Sequence, residues 1–95
     1  MKIEQILISE YCKHYNIETS FIDILDEMGL VSFSRAKNQI FLDAEHFEDL
    51  ERCRQLHYEL HVNPEGIDVI LNLLQKQNKL HNEIQMLKNR LKLHE

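Results

Sequence analysis

The sequence predicts a mainly α-helical protein, a winged helix-turn-helix with a small β-hairpin wing and a long C-terminal coiled-coil helix. Three observations carry this expectation. Only two glycines and one proline in 95 residues leave few loops. Two helical segments near the start are joined by a very short turn, and two short apolar runs around a polar turn follow them. The last thirty or so residues repeat apolar side chains at alternating spacings of three and four.

Taken in order, Ile3 to Ile8 is a short apolar lead-in. Ser9 is the expected N-cap of a first helix, Ser9–Tyr15, with Glu10 in its first turn. Asn16-Ile17 breaks it. A second helix spans about Glu18 to Met28, where Ile17, Phe21, Leu25 and Met28 lie on one face. Gly29 follows, where a helix C-cap favours glycine. Leu30–Phe33 and Gln39–Leu42 read as the two strands of the wing, around a turn at Ser34–Asn38.

Asp43 is the expected cap of a third helix, about Ala44–His61, with Glu45, Glu48 and Asp49 near its positive end. Phe47, Leu50, Cys53 or Arg54, Leu56 or His57, and Leu60 trace its inner stripe. Asn63 then caps, and Pro64 opens, a last helix that runs to about Leu93, roughly 45 Å at ~1.5 Å per residue. Ile67, Ile70, Leu71 and Leu74 suit packing on the body. Ile70, Leu73, Gln77, Leu80, Ile84, Leu87, Leu91 and His94 form a heptad seam with polar flanks. A second copy is the simplest cover for that seam, so a homodimer through Leu73, Gln77, Leu80, Ile84, Leu87 and Leu91 is expected. Residues 1–74 form the winged-helix module. Residues 75–95 form the dimerisation helix, continuous with the helix that starts near residue 64.

The net charge of −5 conceals an asymmetry. Residues 1–74 hold six Lys/Arg against fourteen Asp/Glu, while residues 75–95 hold five against two. An acidic body repels nucleic acid and attracts basic protein surfaces. No apolar stretch reaches the ~20 residues a bilayer span needs, and the N-terminal residues lack a secretory pattern. Cys12 and Cys53 make neither a disulfide framework nor a CxxC pair. A cytoplasmic protein with reduced thiols and no membrane partner is expected.

No nucleophile elbow, HExxH, P-loop or glycine-rich phosphate cradle is present, and neighbouring acids such as Asp26-Glu27 and Glu48-Asp49 diverge on their helices. No catalytic residue and no cofactor is expected. Cys53, His57 and His61 stand at successive turns of one helix, but one helix face rarely closes a zinc tetrahedron, and no fourth ligand is evident. No metal site is expected. The second helix carries four acids, Glu18, Asp23, Asp26 and Glu27, and no base. Set in a major groove, it would press carboxylates against phosphates. These four acids are instead the candidate contacts for a basic protein surface.

The run Ile8-Ser9-Glu10-Tyr11-Cys12, then Asn16-Ile17 and Glu27-Met28-Gly29-Leu30, resembles the opening of the MerR-type helix-turn-helix. Asp43-Ala44-Glu45-His46-Phe47 through Asn63-Pro64-Glu65-Gly66-Ile67 resembles that family's third helix and the start of its fourth. Ser20 and Asp23 stand where those regulators carry arginines. A nearer resemblance is to the bacterial chaperone-modulator family CbpM. It rests on Ile8–His14, on Arg54-Gln55-Leu56-His57-Tyr58-Glu59-Leu60, on Pro64–Leu74 and on the tail Leu87-Lys88-Asn89-Arg90-Leu91. This resemblance implies a MerR-like winged helix-turn-helix and a non-enzymatic function. It implies binding to the J-domain of a curved-DNA-binding, DnaJ-like co-chaperone, and inhibition of both its Hsp70 stimulation and its DNA binding. The alternative is a MerR-like DNA-binding transcriptional regulator, touching DNA through Arg35, Lys37 and the basic tail. The acid-only second helix argues against specific nucleic-acid binding.

Overall fold

The computed structural model describes residues 4–93. The order is β1 (Gln5–Leu7), α1 (Ile8–Tyr15), α2 (Thr19–Glu27), β2 (Ser34–Ala36), β3 (Gln39–Asp43), a 3₁₀ turn at Ala44–His46, α3 (Phe47–Arg54), a π-helical turn at Gln55–Glu59 and α4 (Pro64–Leu93). This is a mainly helical fold with a small antiparallel sheet and one long C-terminal helix, as the sequence predicts.

The helix stops are local chemistry. Asn16 adopts a left-handed conformation (φ 56°), and Ile17 N–H returns to the Cys12 carbonyl at 2.9 Å. At the end of α2, Leu30 N–H bonds the Leu25 carbonyl (3.0 Å) and Gly29 N–H bonds the Asp26 carbonyl (3.1 Å). That pair of bonds is a Schellman motif, and the φ of +70° at Gly29 is the conformation glycine alone adopts without strain. At the start of α4 the Asn63 side chain accepts the Gly66 N–H at 2.7 Å. A Cβ on Gly66 would stand 2.8 Å from Val62 Cγ1, so this capped turn has no room for a side chain.

Other caps depart from expectation. α1 begins at Ile8, not after Ser9, because the extended strand β1 feeds directly into the helix through Leu7 (φ −76°, ψ 119°). Asp43 does hold the cap position of the 3₁₀ turn but makes no capping bond. Its carboxylate instead accepts a hydrogen bond from the Gln5 side-chain amide at 3.0 Å.

The sheet has three strands in the order β1-β3-β2, not two. β3 is central: Ile6 faces Leu42 on one side and Arg35 faces Ile40 on the other. The lead-in thus becomes an edge strand, while Ile3 lies outside the described residues. The wing begins four residues later than the apolar run implied. Leu30 is used by the α2 stop and Val31 is buried, so Leu30–Phe33 anchors the loop to the core, and the strand starts at Ser34. Lys37 and Asn38, both at positive φ (51° and 63°), make the two-residue turn that matches the twist of a hairpin.

Leu25, Leu42, Leu50, Cys53 and Ile67, from four different elements, are fully buried at the centre of the core. α2 presents Phe21, Ile22 and Leu25 to it. Ile22 takes the place expected of Met28, which is about a third exposed. The π-helical turn has a similar effect downstream. Leu60 N–H reaches back five residues to Gln55 (3.2 Å). The widened turn rotates Leu60 out of the inner stripe and leaves it 66% exposed.

A partly buried polar clip joins α1 to α3. Tyr11 hydroxyl donates to Glu51 (2.9 Å), Arg54 Nε donates to the same oxygen (2.6 Å), and the Arg54 guanidinium lies 4.4 Å over the Tyr15 ring. Burial pushes the Tyr11 hydroxyl's pKa up, and the neighbouring carboxylate pushes it further. At Glu51, burial opposes ionisation, but the hydrogen bonds from Arg54 and Tyr11 outweigh it and hold the carboxyl below its ordinary value. With the folded value below the unfolded one, the stabilisation is full above ~4.3 and is lost as pH falls through the folded value. Glu51→Gln is therefore expected to lower the urea midpoint at pH 7, and the gap to the parent protein is expected to narrow as the pH is brought down to about 3.

Candidate protein-interaction surface on the second helix

Helical geometry settles where each candidate residue points. With Phe21, Ile22 and Leu25 turned to the core, Asp23 and Glu27 lie one turn apart at the centre of the outer face, both exposed. Ile24 and Met28, 37% and 36% exposed, flank them on one side. Asp26 flanks them on the other and is not free. Its carboxylate meets the Arg35 guanidinium at 2.9 Å, an ion pair 62% exposed at the arginine and 33% at the acid. Glu18 stands apart at the helix entrance, where its carboxylate accepts the Ser20 hydroxyl (3.3 Å) and its backbone N–H donates to the Tyr58 hydroxyl (3.2 Å). A carboxylate there also suits the positive end of the helix. The fold therefore gathers Asp23, Asp26 and Glu27 into one surface and leaves Glu18 at its edge.

Three further side chains border these acids. Ile24 and Met28 add an apolar margin to the acids, and Arg35 puts a cation on them from the wing. Ile24 was signalled by its position off the apolar stripe. The Arg35 contact had no local signal, because it needs the hairpin folded against α2.

The heptad positions Leu73, Gln77, Leu80, Ile84, Leu87 and Leu91 are all exposed, the five apolar ones by 50–66%. His94 lies outside the described residues. Ile67 is fully buried and Ile70, Leu71 and Leu74 are partly covered, so α4 leaves the body near residue 75. An open groove of about 770 Å³ runs along this departure between Leu30, Asp49, Arg52 and the α4 side chains Leu71, Leu74 and Leu80.

The metal-capable residues of α3 and its extension do not converge. Cys53 is buried in the core, where burial pushes its thiol up to about 11. His57 stacks on Phe21 with ring centroids 4.6 Å apart and donates from Nδ1 to the Val62 carbonyl (2.8 Å). His61 sits at positive φ, beyond the π-helical turn. Among the described residues, Asp43, Glu45 and His46 do bring ligand atoms within 4.8 Å of one another, at the surface. His46 there lies between Glu45 (3.6 Å) and Asp49 (3.9 Å), charges that suit the start of α3. No helix among the described residues is long and apolar enough to cross a membrane.

The acids of α2 lie outside its buried stripe of Phe21, Ile22 and Leu25, and an exposed ion pair contributes only about 0–1 kcal/mol. The triple change Asp23→Asn, Asp26→Asn, Glu27→Gln is expected to leave the helical circular dichroism unchanged. The thermal midpoint should move by no more than about 8 °C.

The family described as "MerR HTH family regulatory protein" matches residues 6–89. No curated protein and no solved structure matches the chain. The match takes in both strands of the wing, α1 to α3 and most of α4, and the chain belongs to the MerR helix-turn-helix family.

Proposed function

We propose that this protein is a non-enzymatic chaperone modulator. In this reading the outer face of α2 binds the J-domain of a DnaJ-like co-chaperone and blocks its stimulation of Hsp70 and its binding of DNA. The observation that carries the reading is the charge of the helix that reads DNA in this architecture. Asp23 and Glu27 face solvent, α2 holds no cation, and the nearest wing arginine is engaged by Asp26. The resemblance to the CbpM family across most of the chain supports it. J-domains present a basic helix to Hsp70, and an acidic face with an apolar margin at Ile24 and Met28 complements such a helix. Complementary charge speeds encounter and selects the partner more than it sets raw affinity.

The second reading, a DNA-binding regulator, is favoured by the family to which the chain belongs. The two readings separate in one pair of measurements. The J-domain is expected to bind in a calorimetric titration, and the triple acid change is expected to weaken it at least tenfold, about 1.4 kcal/mol. A gel shift with promoter DNA is expected to show only weak, sequence-independent retention from Lys76, Lys79, Lys88, Arg90 and Lys92, lost at moderate salt. Selective nanomolar DNA binding at physiological salt, with no J-domain binding, would establish the regulator instead.

The same reading makes the protein a homodimer through residues 70–94. A seam of Leu73, Leu80, Ile84, Leu87 and Leu91 on a helix that has left its body is left exposed by the described residues. Burying each Leu or Ile is worth about 1.5–3 kcal/mol, and Gln77 at a core-type position helps fix the register. The pair Leu80→Lys and Leu87→Lys is expected to give monomers in sedimentation equilibrium at tens of micromolar, where the parent chain sediments as a dimer.

A further inference from the structure

The wing carries two cations, Arg35 and Lys37, and the structure treats them differently. Arg35 stands opposite Ile40 in the β2–β3 register. Cross-strand partners share a face of the sheet, and Ile40 packs on the core. Arg35 is thus directed to the α2 side of the hairpin, where it meets Asp26. Lys37 occupies the turn at positive φ and makes no ion pair among the described residues.

The backbone of Arg35 does not depend on that ion pair. It is held by pairing to the central strand and by the two-residue turn beside it. The guanidinium at the end of a long, largely exposed side chain is the movable part, and an exposed pair of this kind is weak. A second cation arriving from solvent can therefore take its place on Asp26 without disturbing the hairpin. Asp23 and Glu27 lie beside it on the same helix, at the one-turn spacing that meets basic residues three or four apart on a facing helix.

We infer that Arg35 masks Asp26, and that a basic partner helix completes its contact with α2 by displacing the wing arginine from that acid. The inference rests on the proposed reading of α2 as a protein-binding face and adds its regulation: the affinity is set by competition between an internal cation and the partner's cation. Keeping this flanking acid paired until a partner supplies a better-placed cation lowers the attraction of the free face for unrelated basic surfaces.

The test is a calorimetric titration of a DnaJ-like J-domain into the full chain at fixed ionic strength. The variants are Arg35→Ala, Lys37→Ala, Asp26→Asn and the double change Arg35→Ala/Asp26→Asn, each checked for unchanged circular dichroism. Arg35→Ala is expected to tighten binding two- to fivefold, the equivalent of about 0.4–1 kcal/mol. Lys37→Ala removes the same charge from the same wing and is expected to give a smaller gain. In the Asp26→Asn background the gain from Arg35→Ala is expected to vanish, the signature of a pairwise coupling rather than a general charge effect. Binding by the parent chain with no tightening in Arg35→Ala, or the same gain with and without Asp26, overturns the masking and leaves the partner reading standing. Failure of both the parent and Arg35→Ala to bind overturns both. If Arg35 served as a phosphate contact, its removal would weaken binding to DNA, and a gel shift on the same variant reads that outcome.

Discussion

Five side chains with no solvent exposure, Leu25 from α2, Leu42 from β3, Leu50 and Cys53 from α3 and Ile67 from α4, meet at one point in a body of about seventy residues. A chain this short supports a single core of modest size, so each element has only one or two residues with which to fix its orientation. The rotation of α2 about its own axis is set by Phe21, Ile22 and Leu25. That rotation puts Asp23 and Glu27 at the solvent-facing centre and tips Asp26 toward the wing. The direction of α4 is set by Ile67 and its partly covered neighbours, after which the helix runs free. The surface chemistry of the protein is thus a by-product of how few contacts its interior has available.

The acidic face is less simple than its composition. Three carboxylates on one helix repel, and the fold relieves part of that repulsion from within by turning Arg35 onto Asp26. The other two acids stay in water beside Ile24 and Met28. The result is a surface that combines charge with apolar area, a pairing suited to protein partners and poorly suited to a phosphate backbone. The aromatic stack of Phe21, His57 and Tyr58 behind it, with Tyr58 receiving the Glu18 backbone N–H, ties the entrance of α2 to the π-helical turn. The entrance of the helix that bears the face is therefore tied to the α3–α4 corner, while its other end meets the hairpin at the exposed Asp26–Arg35 pair.

Charge is also divided along the chain. The acidic excess belongs to residues 1–74 and the basic excess to residues 75–95, and α4 carries the second out from the first. The exposed seam on α4 and the groove at its root are continuous with one another.

What the sequence alone determined is what acts within a turn or two of itself. Asn16, Gly29 and Asn63 stop or start helices through bonds to residues at most five positions away. The helical period places Ile17, Phe21 and Leu25 on the buried side of α2, where Ile22 rather than Met28 completes the stripe, and the heptad spacing picks out the exposed row along α4. The acids Asp23, Asp26 and Glu27 were legible as a group for the same reason, and Glu18 proved to stand apart at the helix entrance. Tertiary structure decided whatever joins distant positions. Gln5–Leu7 is a strand only because β3, more than thirty residues on, offers it an edge. Leu30–Phe33 fails to be one because α2's stop and the core claim its side chains. Leu60 faces water because a π-helical turn, whose bonding gives no apolar period, shifts the phase of the helix. Among the described residues, Asp26 is paired where Asp23 and Glu27 are not because Arg35 reaches it by way of a hairpin register. Local preferences are written in neighbouring residues, whereas those pairings depend on which surfaces the core leaves facing each other.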